Sequence, residues 1–203
     1  AMKMVAAAKL RRSQGNVVAA RPYALALRHL LEHLSATADL PVNPFVIQRE
    51  VKSVALVVVT ADRGLCGAFN SNLLKAAVNH INANYTELNA EGKLKLFCVG
   101  RKGFDFFSRR QFKVGGKYIG VFSNLVFGQA QAIVREVVQG YRAGEFDKVE
   151  IVFNEFKSVA RQKIVVDQFL PLASSHDVPA GGLSNYIYEP SNRQIVDALR
   201  EFR

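Results

Sequence analysis

The 203-residue chain is short of several things, and each shortage narrows what it can be. It has two cysteines, Cys66 and Cys98, with no pairing pattern and no secretory signal. A disulfide framework is therefore excluded, and both read as buried thiols of a reducing compartment. No apolar run approaches the ~18 residues that a membrane-spanning helix needs. The opening AMKMVAAAKLRR is not a signal segment either, because its apolar run is too short and Lys and Arg follow at once. Acid is scarce: 17 Asp and Glu stand against 27 Lys and Arg, leaving a formal charge of +10. That excess asks for an acidic partner, whether nucleic acid, an anionic membrane surface or acidic protein loops. There is no internal repeat and no low-complexity segment. The four histidines and two cysteines show no metal-ligand spacing, and no pair of carboxylates is placed for catalysis.

Proline is absent until Pro22, and the stretch from Ala1 to about Leu34 is rich in Ala, Leu, Lys and Arg, all good helix formers. Its apolar residues fall on a heptad. Leu10, Val17, Ala24 and Leu31 share one position; Ala6, Ala20, Leu27 and Leu34 share another, with Ser13 as a polar lapse. This is the seam of a two-stranded coiled coil. Such a rod would run roughly 50 Å at ~1.5 Å per residue, and its apolar side needs a second helix to cover it. The competing reading is a helix lying along its own domain. Against that, no second long heptad helix follows in the sequence. Pro22 deletes one helical hydrogen bond, so Arg21-Pro22 is the predicted kink.

Thr37–Glu50 carries Pro41 and Pro44 and reads as an irregular linker. A different pattern then begins. Ser53–Thr60 (SVALVVVT) is a β-branched run buried on both faces, as in a parallel sheet. An amphipathic helix follows over 68–83, then a strand over Lys93–Gly100 and a short helix over Arg101–Arg110 with Phe104, Phe106 and Phe107 inward. Gln111–Tyr118 is a weaker strand because of Gly115 and Gly116. A helix over 130–141 is ended by Gly140 and Gly144. Lys148–Phe156 and Gln162–Leu170 are strands paired antiparallel. Strand and helix alternate, which predicts a doubly wound, mostly parallel, Rossmann-like α/β sheet behind a long coiled-coil helix. The expected divisions are 1–36 (shaft helix), 37–50 (linker), 51–170 (α/β domain), 171–190 (irregular tail) and 191–203. The last is a helix capped by Ser191 and cut off by the chain terminus, as in a truncated chain.

The turn Asp62-Arg63-Gly64-Leu65-Cys66-Gly67 leaves the carboxyl end of the first buried strand, the usual ligand position in open α/β sheets. Its glycines are spaced G-x-x-G, with neither the dinucleotide fingerprint nor a Walker Lys-Ser/Thr, so a structural tight turn outweighs a nucleotide cradle. Asp62 and Arg63 together form a candidate docking point on the loop tip, Arg63 being suited to a bidentate grip on a carboxylate. Cys66 as a nucleophile finds no histidine placed as its base. Basic residues cluster on the first helix and again at Arg101, Lys102, Arg109, Arg110, Lys113 and Lys117. Without exposed aromatics between them they read as a solvated, partner-facing surface and not as a nucleic-acid site.

AMKMVAAAKLRR with ARPYA, then VVTADRGLCGAFNSN, then Tyr186-Ile-Tyr-Glu-Pro190, resemble in order the gamma subunit of F-type ATP synthases, the central rotor stalk. The likeness covers essentially the whole chain. It lacks the segment the family has before Ala1 and the long helix it has after Arg203. The resemblance implies an antiparallel coiled coil of terminal helices with an α/β domain, turning inside a ring of alpha and beta subunits to couple proton flow to ATP synthesis. It implies no cofactor and no chemistry in this chain, since the nucleotide belongs to neighbours. By motif, Met2, Lys3 and Lys9 would lie on the shaft where acidic catalytic-subunit loops pass. Arg63 would be a salt-bridging catch to those loops. Tyr186, Tyr188 and Glu189 would form the foot on the membrane c-ring, and the α/β domain would pack on the epsilon subunit. No chloroplast-type insertion with a cysteine pair is present. The resemblance therefore implies a peripheral membrane protein on the cytoplasmic face of a bacterial inner membrane. A stand-alone α/β nucleotide-binding protein is the alternative.

Overall fold

A computed structural model describes residues 2–36, 45, 47–123, 125–158 and 161–172, with the side chains of 3–27 described in the first helix. Helix α1 (Met2–Ala36) belongs to one compact unit, and Pro44–Leu172 forms another; each is described by itself. The second unit holds, in order, β1 (Val54–Val59), α2 (Phe69–Asn84), α3 (Thr86–Ala90), β2 (Leu94–Val99), α4 (Arg101–Phe107), β3 (Lys113–Tyr118), α5 (Phe127–Arg142), β4 (Lys148–Phe156) and β5 (Gln162–Leu170).

Helix α1 stays helical through Pro22, the predicted kink. Leu10 and Val17, on the predicted seam, are 47% and 41% exposed. They are less exposed than the off-seam Met4, Val18 and Tyr23, and Leu27, also on the seam, is half-buried.

The five strands order as β3-β2-β1-β4-β5. β1 runs parallel to both β2 and β4, and β2 parallel to β3, while β5 is antiparallel to β4. Successive residues of a strand face opposite sides, and both sides are apolar. Val54, Leu56 and Val58 of β1 join Leu94, Leu96 and Cys98 of β2 beneath α2 (Leu73, Leu74, Ala77, Ile81) and Phe107 of α4. Ala55 and Val57 join Phe97, Val99 and Val149 beneath α5 (Ile133, Val137, Val138, Tyr141) and Phe146. The winding explains why the helices divide in this way. From β1 to β3 the chain advances in one direction, then returns past β1 to β4. Right-handed crossovers in opposite directions place their helices on opposite faces. The β1–α2 loop therefore emerges at the point where the strand order reverses, outside the carboxyl ends of the strands.

Several local readings are corrected. Gly140 does not end α5; it lies inside it, where glycine is needed because a Cβ would sit 2.5 Å from the Phe146 ring. Gly144, with φ +76, supplies the left-handed residue past the helix end. In β3 the pairing skips Gly115, which is the extra residue of a bulge. The short helix α3 was not expected. Within the predicted linker, Phe45 and Ile47 are anchored. Phe45 is buried in the α5-side core, its carbonyl accepts from Leu172 N at 2.7 Å, and Tyr141 Oη donates to Ile47 O at 3.3 Å. Cys98 is fully buried as expected, and burial pushes its thiol up to about 12. Cys66 is exposed, because the glycines on either side carry it out on the loop, away from the sheet.

One charged cluster lies in the sheet. Glu150 of β4 is 5% exposed and receives Lys148 Nζ at 2.7 Å and His80 Nε2 at 2.6 Å. Asn84 Nδ2 lies 3.2 Å from His80 Nδ1, which leaves the ring proton on Nε2, facing the carboxylate.

Candidate functional site

The carboxyl ends of β1, β2 and β3 are tied together by two side chains. Thr60, 2% exposed, donates from Oγ1 to Val99 O at 3.3 Å and accepts from Gly103 N at 2.8 Å. Asp62 Oδ1 accepts from Arg101 N at 2.9 Å and from Gly120 N at 3.0 Å. One carboxylate oxygen thus staples the β1–α2 loop to the start of α4 and to the turn after β3. Asn70, buried at the first turn of α2, closes the loop from below. Its Oδ1 accepts from Ala61 N at 2.9 Å, and its Nδ2 lies 3.0 Å from Cys66 Sγ.

This arrangement separates the two residues that the sequence placed together as a docking point. Asp62 turns inward: its Oδ1 is spent on the two backbone amides, while its Oδ2 is buried without a hydrogen-bond partner among the described residues. Arg63 alone faces out: it is exposed and enters none of the ion pairs among the described residues. A docking pair would leave the amides of Arg101 and Gly120 without acceptors, which costs more than an exposed ion pair returns. The loop tip is held in an unusual conformation, with Leu65 at φ +60 and Gly67 at φ +57. Gly67 meets this demand at no steric cost, whereas a branched residue at positive φ is an outlier. Sequence reasoning had no signal for Leu65, because neighbouring Gly64 and Gly67 were the expected carriers of the turn.

Of the other predicted site residues, Lys3 and Lys9 lie exposed on α1. Met2 begins that helix, with its side chain outside the described part. Tyr186, Tyr188 and Glu189 lie outside the described residues.

The Asp62 staple is open to direct test. Asp62→Ala strips two backbone amides of their acceptor and should cost about 1–3 kcal/mol. Hydrogen exchange at Arg101 and Gly120 should accelerate together, while Asp62→Asn, which keeps an oxygen acceptor, should preserve most of the protection.

Fold and loop together define a five-stranded, mostly parallel α/β domain with an exposed turn outside the carboxyl ends of its strands, in a chain that also carries a long exposed helix. The family model described as ATP synthase matches residues 1–203. The ATP synthase gamma chain of Prosthecochloris aestuarii is 46% identical over 200 residues, covering 98% of this chain and 68% of that one. That of Chloroherpeton thalassium is 43% identical over 210 residues, covering 98% and 69%. Among solved structures, the fold is similar to the central stalk/c-ring of the Tetrahymena thermophila mitochondrial ATP synthase (TM-score 0.66, 24% identity, 99% of this chain and 84% of that one). It is also similar to the rotor of the Euglena gracilis enzyme (TM-score 0.60, 20% identity, 99% and 71%). The chain belongs to the ATP synthase gamma-chain family.

Proposed function

We propose that this chain works as the central-stalk (gamma) subunit of an F-type ATP synthase, turning inside the alpha/beta ring to couple proton flow to ATP synthesis. A shaft of this kind does no bond chemistry. It contacts each catalytic site differently and so biases sites that have more than one conformation. In this reading α1 is one strand of an antiparallel coiled coil, and Met2, Lys3 and Lys9 pass acidic loops of the catalytic subunits. Arg63 is the catch to those loops. Tyr186, Tyr188 and Glu189 stand on the c-ring, and the α/β domain packs on epsilon. Residues 1–36 serve as shaft and 51–170 as the α/β domain, joined through 37–50; 171–190 forms the tail and 191–203 opens the returning helix. The complex sits on a membrane, and the chain itself contributes no described helix long and apolar enough to cross one. Attachment is then peripheral, on the cytoplasmic face of a bacterial inner membrane. The positive charge of the chain finds its acidic partner in neighbouring subunits.

The observation that carries this reading is the partly exposed seam of α1 in a chain of the gamma family. Leu10 and Val17 are exposed where the heptad calls for a partner helix. In the assembled complex, Leu10→Asp with Val17→Asp should remove about 2–5 kcal/mol of helix pairing per site. ATP-driven proton pumping should fall by more than about tenfold, while the α/β unit keeps its melting transition. Normal pumping by the double variant contradicts the shaft role. Saturable micromolar binding of ATP at the Gly64–Gly67 turn would instead favour the stand-alone nucleotide-binding alternative.

A further inference from the structure

We infer that Asn70 is the positioning residue of the β1–α2 loop: its side-chain amide grips the loop at both ends, holds Leu65 in the left-handed region, and so fixes the direction in which Arg63 is presented. The inference rests on the reading of Arg63 as the catch and adds what aims it.

Asn70 stands where packing alone would call for a leucine. It lies on the buried stripe of α2 with Leu73, Leu74, Ala77 and Ile81, and it is 8% exposed. A polar group so placed is costly unless it is bonded, and both of its partners belong to the loop. Oδ1 accepts from Ala61 N at 2.9 Å, where the loop leaves β1. Nδ2 donates to Cys66 Sγ at 3.0 Å, where the loop turns towards α2. The amide cannot be reversed, because its NH2 would then face the Ala61 N–H. One planar group thus sets the span from Ala61 to Cys66, with Arg63 between them.

Leu65 shows that this span is enforced. It holds φ +60, a strained conformation for a residue with a side chain. Its side chain is 109% exposed, so no packing of its own keeps it there. The backbone does little more. Among the described residues, the stretch 63–67 makes one backbone–backbone hydrogen bond, with Phe69 N donating to Cys66 O at 3.3 Å. Strain of this kind persists only where the surroundings over-determine it. Two side chains impose it here. Asp62 is fixed on the amides of Arg101 and Gly120 before the strained residue, and Asn70 holds Cys66 directly after it. Freed from Asn70, Leu65 would relax to negative φ and the peptide planes beside it would rotate. Arg63, two residues earlier and outside every ion pair among the described residues, would then point elsewhere.

Two measurements test this. In the purified chain, the NOE between the amide and α protons of Leu65 is strong at positive φ and weak at negative φ. It should be strong in the wild type and fall severalfold in Asn70→Ala. In the assembled complex, ATP-driven proton pumping should fall about fivefold in Asn70→Ala and less in Asn70→Asp, which keeps the acceptor for Ala61 N. Leu65→Gly should restore most of the Asn70→Ala loss, since glycine holds the left-handed conformation without help. Added to Arg63→Ala, Asn70→Ala should cost no further pumping, because a residue that acts through Arg63 has nothing left to aim. An unchanged Leu65 NOE in Asn70→Ala overturns the clasp. A lost NOE with normal pumping overturns the positioning role. A further loss in the Arg63→Ala background, or no rescue by Leu65→Gly, also overturns it, since a merely destabilised domain would give both. Normal pumping by Arg63→Ala alone overturns the reading of Arg63 as the catch and the positioning role with it, while the Leu65 NOE still judges the clasp.

Discussion

Gly100→Ala is expected to be among the most damaging single substitutions in the α/β unit, with a loss of about 3–5 kcal/mol. Gly100 joins β2 to α4 with φ 98 and ψ 144. A residue with a side chain held there carries a strain of about 1–3 kcal/mol. The Cβ also has nowhere to go: it would stand 2.1 Å from Thr60 O and 2.9 Å from Thr60 Oγ1. The first of these is backbone of the central strand's end and cannot swing away as a flexible side chain would. Relief requires β1 and β2 to part, which breaks the Thr60 N to Val99 O bond of 2.8 Å. Denaturant melts of the purified chain should show the lowered midpoint. Gly128→Ala is the matched control, since nothing lies within 4 Å of its added Cβ.

Glu150→Ala should cost about 3–5 kcal/mol, the usual penalty for leaving one side of a buried ion pair uncompensated. Lys148, only 24% exposed, would lose its carboxylate, and His80 Nε2 would lose its acceptor. Glu150→Gln should cost less, because the amide oxygen still accepts. The acid limb of stability carries a second signature. Burial alone would push the Glu150 carboxyl up, but hydrogen bonds from Lys148 and His80 and the Lys148 charge outweigh it and hold the group below its ordinary 4.5. A carboxyl lowered by folding stabilises above its unfolded value, and that contribution disappears as pH falls through the folded one. Below pH ~4 the wild type should therefore lose stability more steeply than Glu150→Ala. On the alkaline side, burial lowers Lys148 but its bonds to Glu150 and Tyr85 raise it further, so the net shift is upward from 10.5. Its contribution holds at neutral pH and is lost only above that value. Equal acid slopes in the two proteins would contradict the pairing.

Much of this architecture was legible in the residues, for identifiable reasons. SVALVVVT can only be a strand buried on both sides, and the alternation of such runs with amphipathic stretches dictates a mixed α/β sheet. The antiparallel β4–β5 pair followed from two nine-residue apolar-polar runs around a polar turn. What escaped was long-range in origin. Gly140 reads as a helix stop until Phe146 folds back against it. Phe45, directly after Pro44 in the predicted linker, reads as loop until Tyr141 stacks near it at 6.1 Å. Asp62 beside Arg63 looks like an exposed pair, because nothing local reveals the amides of Arg101 and Gly120. Those amides lie 39 and 58 residues away and arrive only when three strand ends converge.

That convergence has a mechanical consequence. A pull on the β1–α2 loop meets Asp62 at its base. Through the Asp62 carboxylate it is shared at once among three adjacent strand termini, each tied laterally to the next. The base of the loop is therefore stiff against sideways displacement, and a load arriving at Asp62 would be delivered to the whole sheet.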